Sequence, residues 1–82
     1  MGRKPEVHRL KTLQPYFGEV KARRKNFELR LNDRDYQVGD TVVLEERTGE
    51  HYTGDSITRK IKYVLKNCPQ FGLKDGYCIF GW

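Results

Sequence analysis

The sequence predicts a small, mostly β (α+β) domain: a mixed or antiparallel β-barrel of five to six short strands, with one short helix after the first strand. The length of 82 residues fits a single domain with a modest core, because so short a chain buries only about 60–65% of the surface that it exposes when unfolded. Apolar and polar residues alternate in several short runs, which is typical of strands. One stretch near residue 16 has helical spacing instead, and it lies between the first two predicted strands.

The chain divides into an arm and a domain. Residues 1–7 are polar, basic and interrupted by Pro5, and this composition predicts a flexible basic arm. Residues 8–82 contain the alternating runs, so they predict a single domain.

The domain begins with a predicted strand at residues 8–13. Pro15 follows early in a predicted helix of one or two turns that reaches about Arg23. Phe17 and Val20 share the helical spacing of one face, so we expect both side chains to pack inward.

Four further strands are predicted, over residues 26–31, 41–46, 56–66 and 77–82. Loops are predicted over residues 32–35 and 67–76, and a loop or hairpin turn over residues 47–54, whereas residues 36–38 are too short a run to classify. Successive side chains of a strand point to opposite faces of a sheet, and the apolar set normally faces the core. The predicted core face therefore carries Phe27, Leu29, Leu31, Ile57, Ile61, Tyr63 and Leu65. We also expect Phe71 and Leu73 to pack beneath the last loop.

Positive charge is concentrated in the first third of the chain. Residues 1–25 contain eight Lys or Arg against two Glu, whereas the remainder contains eight against nine Asp or Glu. Such an asymmetry is typical of proteins with an anionic partner such as nucleic acid. A solvated, solubilising face explains it equally well.

Cysteine usage and hydropathy exclude several classes of protein. Cys68 and Cys78 are too few for a disulfide scaffold and too few for a zinc site, so we expect reduced thiols, no metal and no cofactor. The longest apolar run is Val42-Val43-Leu44, so we predict no membrane span or signal peptide. The protein is expected to be cytoplasmic, and a monomer by default.

Nothing in the spacing of the residues predicts a catalytic nucleophile. His8 and His51 are the two histidines, and no spacing links either to Ser, Cys or a carboxylate. The candidate site that remains is Lys25, Glu28 and Arg30, in which Glu28 and Arg30 share one face of the second strand. One explanation of this pattern is an exposed face of ion pairs, each of which contributes little to the stability of the fold. A cleft that contacts phosphate and base edges explains it as well.

The run Lys25-x-x-Glu28-x-Arg30 resembles the signature of the ASCH superfamily, Gly-x-Lys-x-x-Glu-x-Arg. The order of elements around it agrees, and the later Val38-Gly39-Asp40 lies before an apolar strand, as in that superfamily. Nearly all of residues 8–82 is similar to a compact ASCH-like family of bacterial and phage proteins of unknown function. One departure is Arg23, which stands where the signature has Gly and alters the turn before the strand.

This resemblance implies a PUA-like fold, a small β-barrel with a helix and a cleft, and an RNA- or nucleotide-binding function. It places Lys25, Glu28 and Arg30 in the cleft. From charge and position we add four basic candidates: Lys11, Lys21, Arg24 and Arg59.

Two alternatives remain open. Some small ASCH-like proteins are amidohydrolases that deacylate a modified cytidine with a Lys and a Thr in this strand. Lys25 matches that Lys, but Glu28 stands where those proteins have Thr. The other alternative is a protein–protein adaptor of a phage or its host, for which the sequence offers no evidence in either direction.

Overall fold

A computed structural model describes residues 3–82, which form six strands, one α-helix and one 3-10 helix. In chain order these are β1 (Val7–Thr12), α1 (Tyr16–Lys21), β2 (Phe27–Leu31), β3 (Thr41–Thr48), β4 (His51–Lys60), β5 (Tyr63–Lys66), the 3-10 helix (Pro69–Phe71) and β6 (Tyr77–Gly81). The predicted mostly β class, with a short helix after the first strand, is confirmed. No helix among residues 3–82 has the length and apolarity to cross a membrane.

The six strands form two sheets of three. In the first sheet β3 lies between β1 and β4, parallel to β1 and antiparallel to β4. In the second sheet β6 lies between β2 and β5 and is antiparallel to both. The ladders found in residues 3–82 do not close into a barrel, so the closed barrel is not confirmed.

The core lies between the inner faces of the two sheets and beneath α1. Leu10, Val42, Leu44 and Ile57 come from the first sheet, Cys78 and Phe80 from β6, Phe17 and Val20 from α1, and Tyr36 and Ile61 from connecting segments. The predicted inward packing of Phe17 and Val20 is confirmed, since each is only 1% exposed.

The face assigned to β2 was wrong. Phe27, Leu29 and Leu31 are about half exposed, at 46%, 55% and 51%, whereas Glu28 is 4% exposed. The reason is the register with β6, in which Glu28 lies opposite Phe80 and Arg30 opposite Cys78. Paired residues share a face of a sheet. Because Phe80 and Cys78 are fully buried, β2 directs its polar residues inward and its apolar residues outward.

The predicted strand over residues 56–66 is divided into two strands. β4 ends at Lys60 and β5 begins at Tyr63, and the break changes which alternate residues face the core. Ile57 and Ile61 are buried as expected, but Tyr63 and Leu65 are exposed because they share the outer face of the second sheet with Leu29 and Ile79.

One loop prediction also needs correction. Phe71 is 83% exposed and does not pack beneath the loop, because it ends a 3-10 helix that contributes no buried residue.

The prediction of a loop or hairpin turn over residues 47–54 is confirmed as a tight hairpin. Thr48 pairs with His51, and Gly49 supplies a positive φ of 59° that such two-residue turns favour.

The described part of the predicted arm, residues 3–6, lies against the domain. Arg3 Nη2 donates a hydrogen bond to Asp40 Oδ2 at 2.7 Å, and the Glu6 backbone N–H donates to Asp40 Oδ1 at 3.0 Å. Residues 1–2 of that arm lie outside the described residues.

Candidate functional site

A cleft of about 760 Å³ opens between the end of β1, the start of α1, β2 and the β3–β4 hairpin. Its lining residues are Lys11, Thr12, Leu13, Tyr16, Lys25, Phe27, Glu28, Leu29, Arg30, Arg47 and Gly49. The volume lies within the range of small-molecule sites. Four of the lining residues are cationic and one is anionic, so the cleft favours an anionic ligand.

Glu28 lies on the floor of the cleft between two cations. The Lys25 ammonium donates a hydrogen bond to Glu28 Oε2, and Arg30 donates to Glu28 Oε1 from Nη2 at 2.7 Å and from Nε at 3.2 Å. The Glu28 side chain is 6% exposed. A carboxylate buried to this extent must be paired. Its two partners, Lys25 and Arg30, lie within three residues of Glu28 in the sequence.

Arg30 also links the two sheets. Its Nη2 donates to the backbone carbonyl of Lys11 on β1 at 3.0 Å, while its backbone belongs to β2 in the other sheet. The Nη1 group takes no part in the three hydrogen bonds that Arg30 makes to Glu28 and Lys11, so it can donate to a ligand.

Aromatic and basic side chains that the sequence reasoning did not assign to the site complete the walls. The Lys25 ammonium lies 5.9 Å from the centroid of the Tyr16 ring and 5.0 Å from that of Phe27, within cation–π range. Arg47 lies over the ring of Tyr52 at 5.1 Å. No local sequence pattern indicates Arg47, because a bulge between Glu45 and Arg47 turns the end of the hairpin.

The structure brings together four of the seven predicted site residues, namely Lys11, Lys25, Glu28 and Arg30. The other three lie elsewhere. Lys21 pairs with Asp55 at 2.9 Å, and Arg24 pairs with Glu19 at 2.7 Å. Arg59 lines a second pocket with Arg23, Asn26, Lys62 and Trp82.

A second polar cluster surrounds Asp40, which is 1% exposed. His8 Nε2 lies 2.8 Å from Asp40 Oδ2, an association that no spacing in the sequence revealed. Glu6, His8 and Asp40 each have an oxygen or nitrogen atom able to ligate a metal ion, and these atoms lie within 4.8 Å of one another. However, the Asp40 oxygens accept hydrogen bonds from the Arg3 guanidinium and from two backbone N–H groups, so this cluster anchors the start of the chain.

Comparison with known proteins gives a family but no activity. The chain matches the family described as "Domain of unknown function (DUF3850)" over residues 7–82. It belongs to this family. A relative from Escherichia phage P2, described as "Uncharacterized 12.9 kDa protein in GpA 3'region", is 34% identical over 59 residues. That alignment covers 72% of this chain but 54% of the phage protein, so the DUF3850 chain matches about half of its relative.

Proposed function

We propose that the protein binds RNA or a nucleotide in the cleft and catalyses no reaction there. The observation that carries the proposal is the buried Glu28 carboxylate, held between Lys25 and Arg30 on the floor of a cleft with a net positive lining. An exposed ion-pair face would neither bury its carboxylate nor enclose a volume of this size.

The chemistry of the cleft fits a nucleotide. Lys11 and Arg47 line it without contact to Glu28, so they are available to phosphate oxygens. Arg30 Nη1 can donate to an acceptor on a base edge, and Glu28 Oε2 retains one lone pair for an exocyclic amine. The rings of Tyr16 and Phe27, which are 55% and 46% exposed, offer surfaces on which an unpaired base can stack.

The resemblance to the ASCH superfamily supports the same assignment. Its Lys, Glu and Arg positions correspond to the three residues that form the hydrogen-bonded network in the cleft. We extend the proposal to a PUA-like barrel, for which the support is the order of six strands with a helix after β1. We also extend it to a cytoplasmic location, for which the support is the pair of free cysteines.

The test is a salt titration of binding to a short single-stranded RNA, followed by fluorescence anisotropy, with single-stranded DNA for comparison. Truncating Lys25 or Arg30 would strand a buried carboxylate and destabilise the fold, so the first variant is Lys11→Ala/Arg47→Ala. For single strands each lost phosphate contact lowers the slope of log K against log salt by about 0.7. We therefore expect the slope to fall by about 1.4.

The matched control is Lys66→Ala/Lys74→Ala, which removes the same charge outside the cleft and should leave the slope unchanged. Equal slopes for the two double variants would show that RNA is bound by net charge alone and would refute the cleft. Hydrolysis of an acylated nucleoside by the wild-type protein would favour the amidohydrolase. The geometry disfavours that reaction, because the Lys25 ammonium donates to Glu28 and to the Phe27 carbonyl and offers no lone pair.

A further inference from the structure

A second pocket lies where the ends of the two sheets meet. Trp82, Lys62 and Asn26 lie side by side at one end of the second sheet, because the Trp82 N–H donates to the Asn26 carbonyl at 3.1 Å and the Lys62 N–H donates to the Gly81 carbonyl at 2.8 Å. Arg59 reaches the pocket from β4 and Arg23 from the turn before β2. The pocket has a volume of about 500 Å³.

The lining of this pocket carries three positive side chains, Arg23, Arg59 and Lys62, and no negative one. No carboxylate within residues 3–82 forms an ion pair with any of the three. By contrast, Lys21 and Arg24 close by in the sequence are each paired. Positive side chains that line one pocket without an acidic side chain repel one another, and an anion bound in the pocket relieves that repulsion.

Trp82 adds a stacking surface to the anion site. Its indole packs against Phe80 of the core, with the ring centroids 6.4 Å apart, and it also lines the pocket. A ring that is fixed by the core and still accessible binds a base at little cost in conformational freedom. The Asn26 amide beside it can both donate to and accept from a base edge.

The second pocket and the cleft lie on the two sides of one short segment. Arg23 and Asn26 line the pocket, whereas Lys25 and Phe27 line the cleft. The two sites therefore adjoin each other along this segment, and a single strand that passes over residues 23–27 can contact both.

We infer that the second pocket is a further nucleotide subsite, in which Arg23, Arg59 and Lys62 bind a phosphate and Trp82 stacks the adjoining base of the same strand. The inference rests on the proposed function of the cleft and makes it more specific. The ligand is a single-stranded oligonucleotide that crosses the segment between Arg23 and Phe27, and a mononucleotide fills the cleft alone.

The experiment measures the affinity for oligouridylates of one to six nucleotides at fixed salt. In the wild type we expect a rise on the order of tenfold or more once the strand reaches both sites. Arg59→Gln/Lys62→Gln should lose most of this rise and retain the mononucleotide affinity. Lys66→Gln/Lys74→Gln removes the same charge elsewhere and should behave as the wild type.

Trp82 is the single tryptophan of the chain, so its fluorescence reports on the pocket directly. A tetranucleotide should quench it, and uridine monophosphate should leave it unchanged. Quenching should weaken in Arg59→Gln/Lys62→Gln, whose unquenched emission and denaturation midpoint establish that it is folded.

Each result decides between the two proposals. The second subsite is overturned if the affinity rises with oligonucleotide length equally in the wild type and in Arg59→Gln/Lys62→Gln. It is also overturned if the affinity of the wild type does not rise with length. If Lys11→Ala/Arg47→Ala binds all lengths normally while the Arg59 and Lys62 variant does not, the cleft proposal fails and the pocket is the principal anion site.

Discussion

Arg23 has a backbone conformation that suits glycine. Its φ is 64°, and it follows the last residues of α1 at the position where helices often end in a left-handed residue. The Arg24 N–H donates to the Glu19 carbonyl at 3.0 Å and the Arg23 N–H to the Val20 carbonyl at 2.9 Å, the two hydrogen bonds of a Schellman motif.

Arg23→Gly should stabilise the protein by about 0.5–1 kcal/mol, because a residue with a Cβ is strained in the left-handed region and glycine is not. Arg23→Ala is the matched control, since it removes the same side chain and keeps the strain. Urea denaturation measures both. A Gly variant no more stable than the Ala variant would contradict this account.

Asp40 depends on its neighbours to remain ionised in the core. Burial alone would raise its pKa, but hydrogen bonds from Arg3, His8 and two backbone N–H groups hold the pKa of this carboxyl well below its usual range. The folded state therefore binds fewer protons than the unfolded state near pH 3–4. The stability that Asp40 contributes is complete above the unfolded pKa of about 4 and is lost as the pH falls below it.

Asp40→Asn should cost about 2 kcal/mol at pH 7, where charge-assisted hydrogen bonds are replaced by neutral ones. The difference between the wild type and this variant should shrink from pH 4 to pH 2. Urea denaturation across this range measures it, with the exposed Asp75→Asn as a control that leaves the pH profile unchanged. A constant difference down to pH 2 would show that Asp40 does not titrate with unfolding.

At the scale of elements, β2 shows why alternation alone does not identify the buried face. Its residues offer one apolar and one polar set, and the usual rule assigns the apolar set to the core. The register with β6 decides otherwise, because Phe80 and Cys78 are the fully buried residues of that pair. That register depends on a strand about fifty residues away in the chain, so no local pattern contains it.

Leu29→Ala and Leu44→Ala test the orientation of β2 with the same chemical change. Leu44 is completely buried, so its truncation should cost about 2–5 kcal/mol. Leu29 is 55% exposed, so its truncation should cost less than about 1 kcal/mol. Equal losses in chemical denaturation would place Leu29 in the core after all.

The sequence was sufficient for the β1, α1 and β3 elements and for the Lys25, Glu28 and Arg30 set. Local spacing encodes a helix or strand, and the three residues lie within a six-residue run. The sequence was insufficient for Arg47 and Tyr16 in the cleft and for the pair of His8 with Asp40. Arg47 reaches the cleft because of the bulge in β3, and Tyr16 because α1 begins at the open end between the sheets. His8 meets Asp40 because β1 pairs with β3.

At the scale of the whole molecule, Cys78 reports on cooperative opening. It is completely buried on the central strand of the second sheet, and burial raises the pKa of its thiol. Both effects suppress attack by the thiolate on a disulfide reagent. Reaction therefore requires the two sheets to separate.

In a Cys68→Ala background, Cys78 should react with a thiol reagent at least about a thousandfold more slowly in buffer than in denaturing urea. The absorbance of the released chromophore measures the rate. Increasing urea should raise the rate in parallel with the unfolded fraction. Fast reaction in buffer would mean that β6 detaches locally while the rest of the fold persists.

The pairing of β2 has a consequence for the time at which the protein becomes functional during synthesis. The neighbour of β2 in its sheet is β6, which begins at Tyr77. While a ribosome is still making the residues before Tyr77, the strand that carries Glu28 and Arg30 has no ladder to fix its register, and either face can turn inward. A nascent chain can thus complete the β1, β3 and β4 sheet and still lack an assembled cleft. The cleft should form in a single late step, once the residues up to Gly81 have left the exit tunnel.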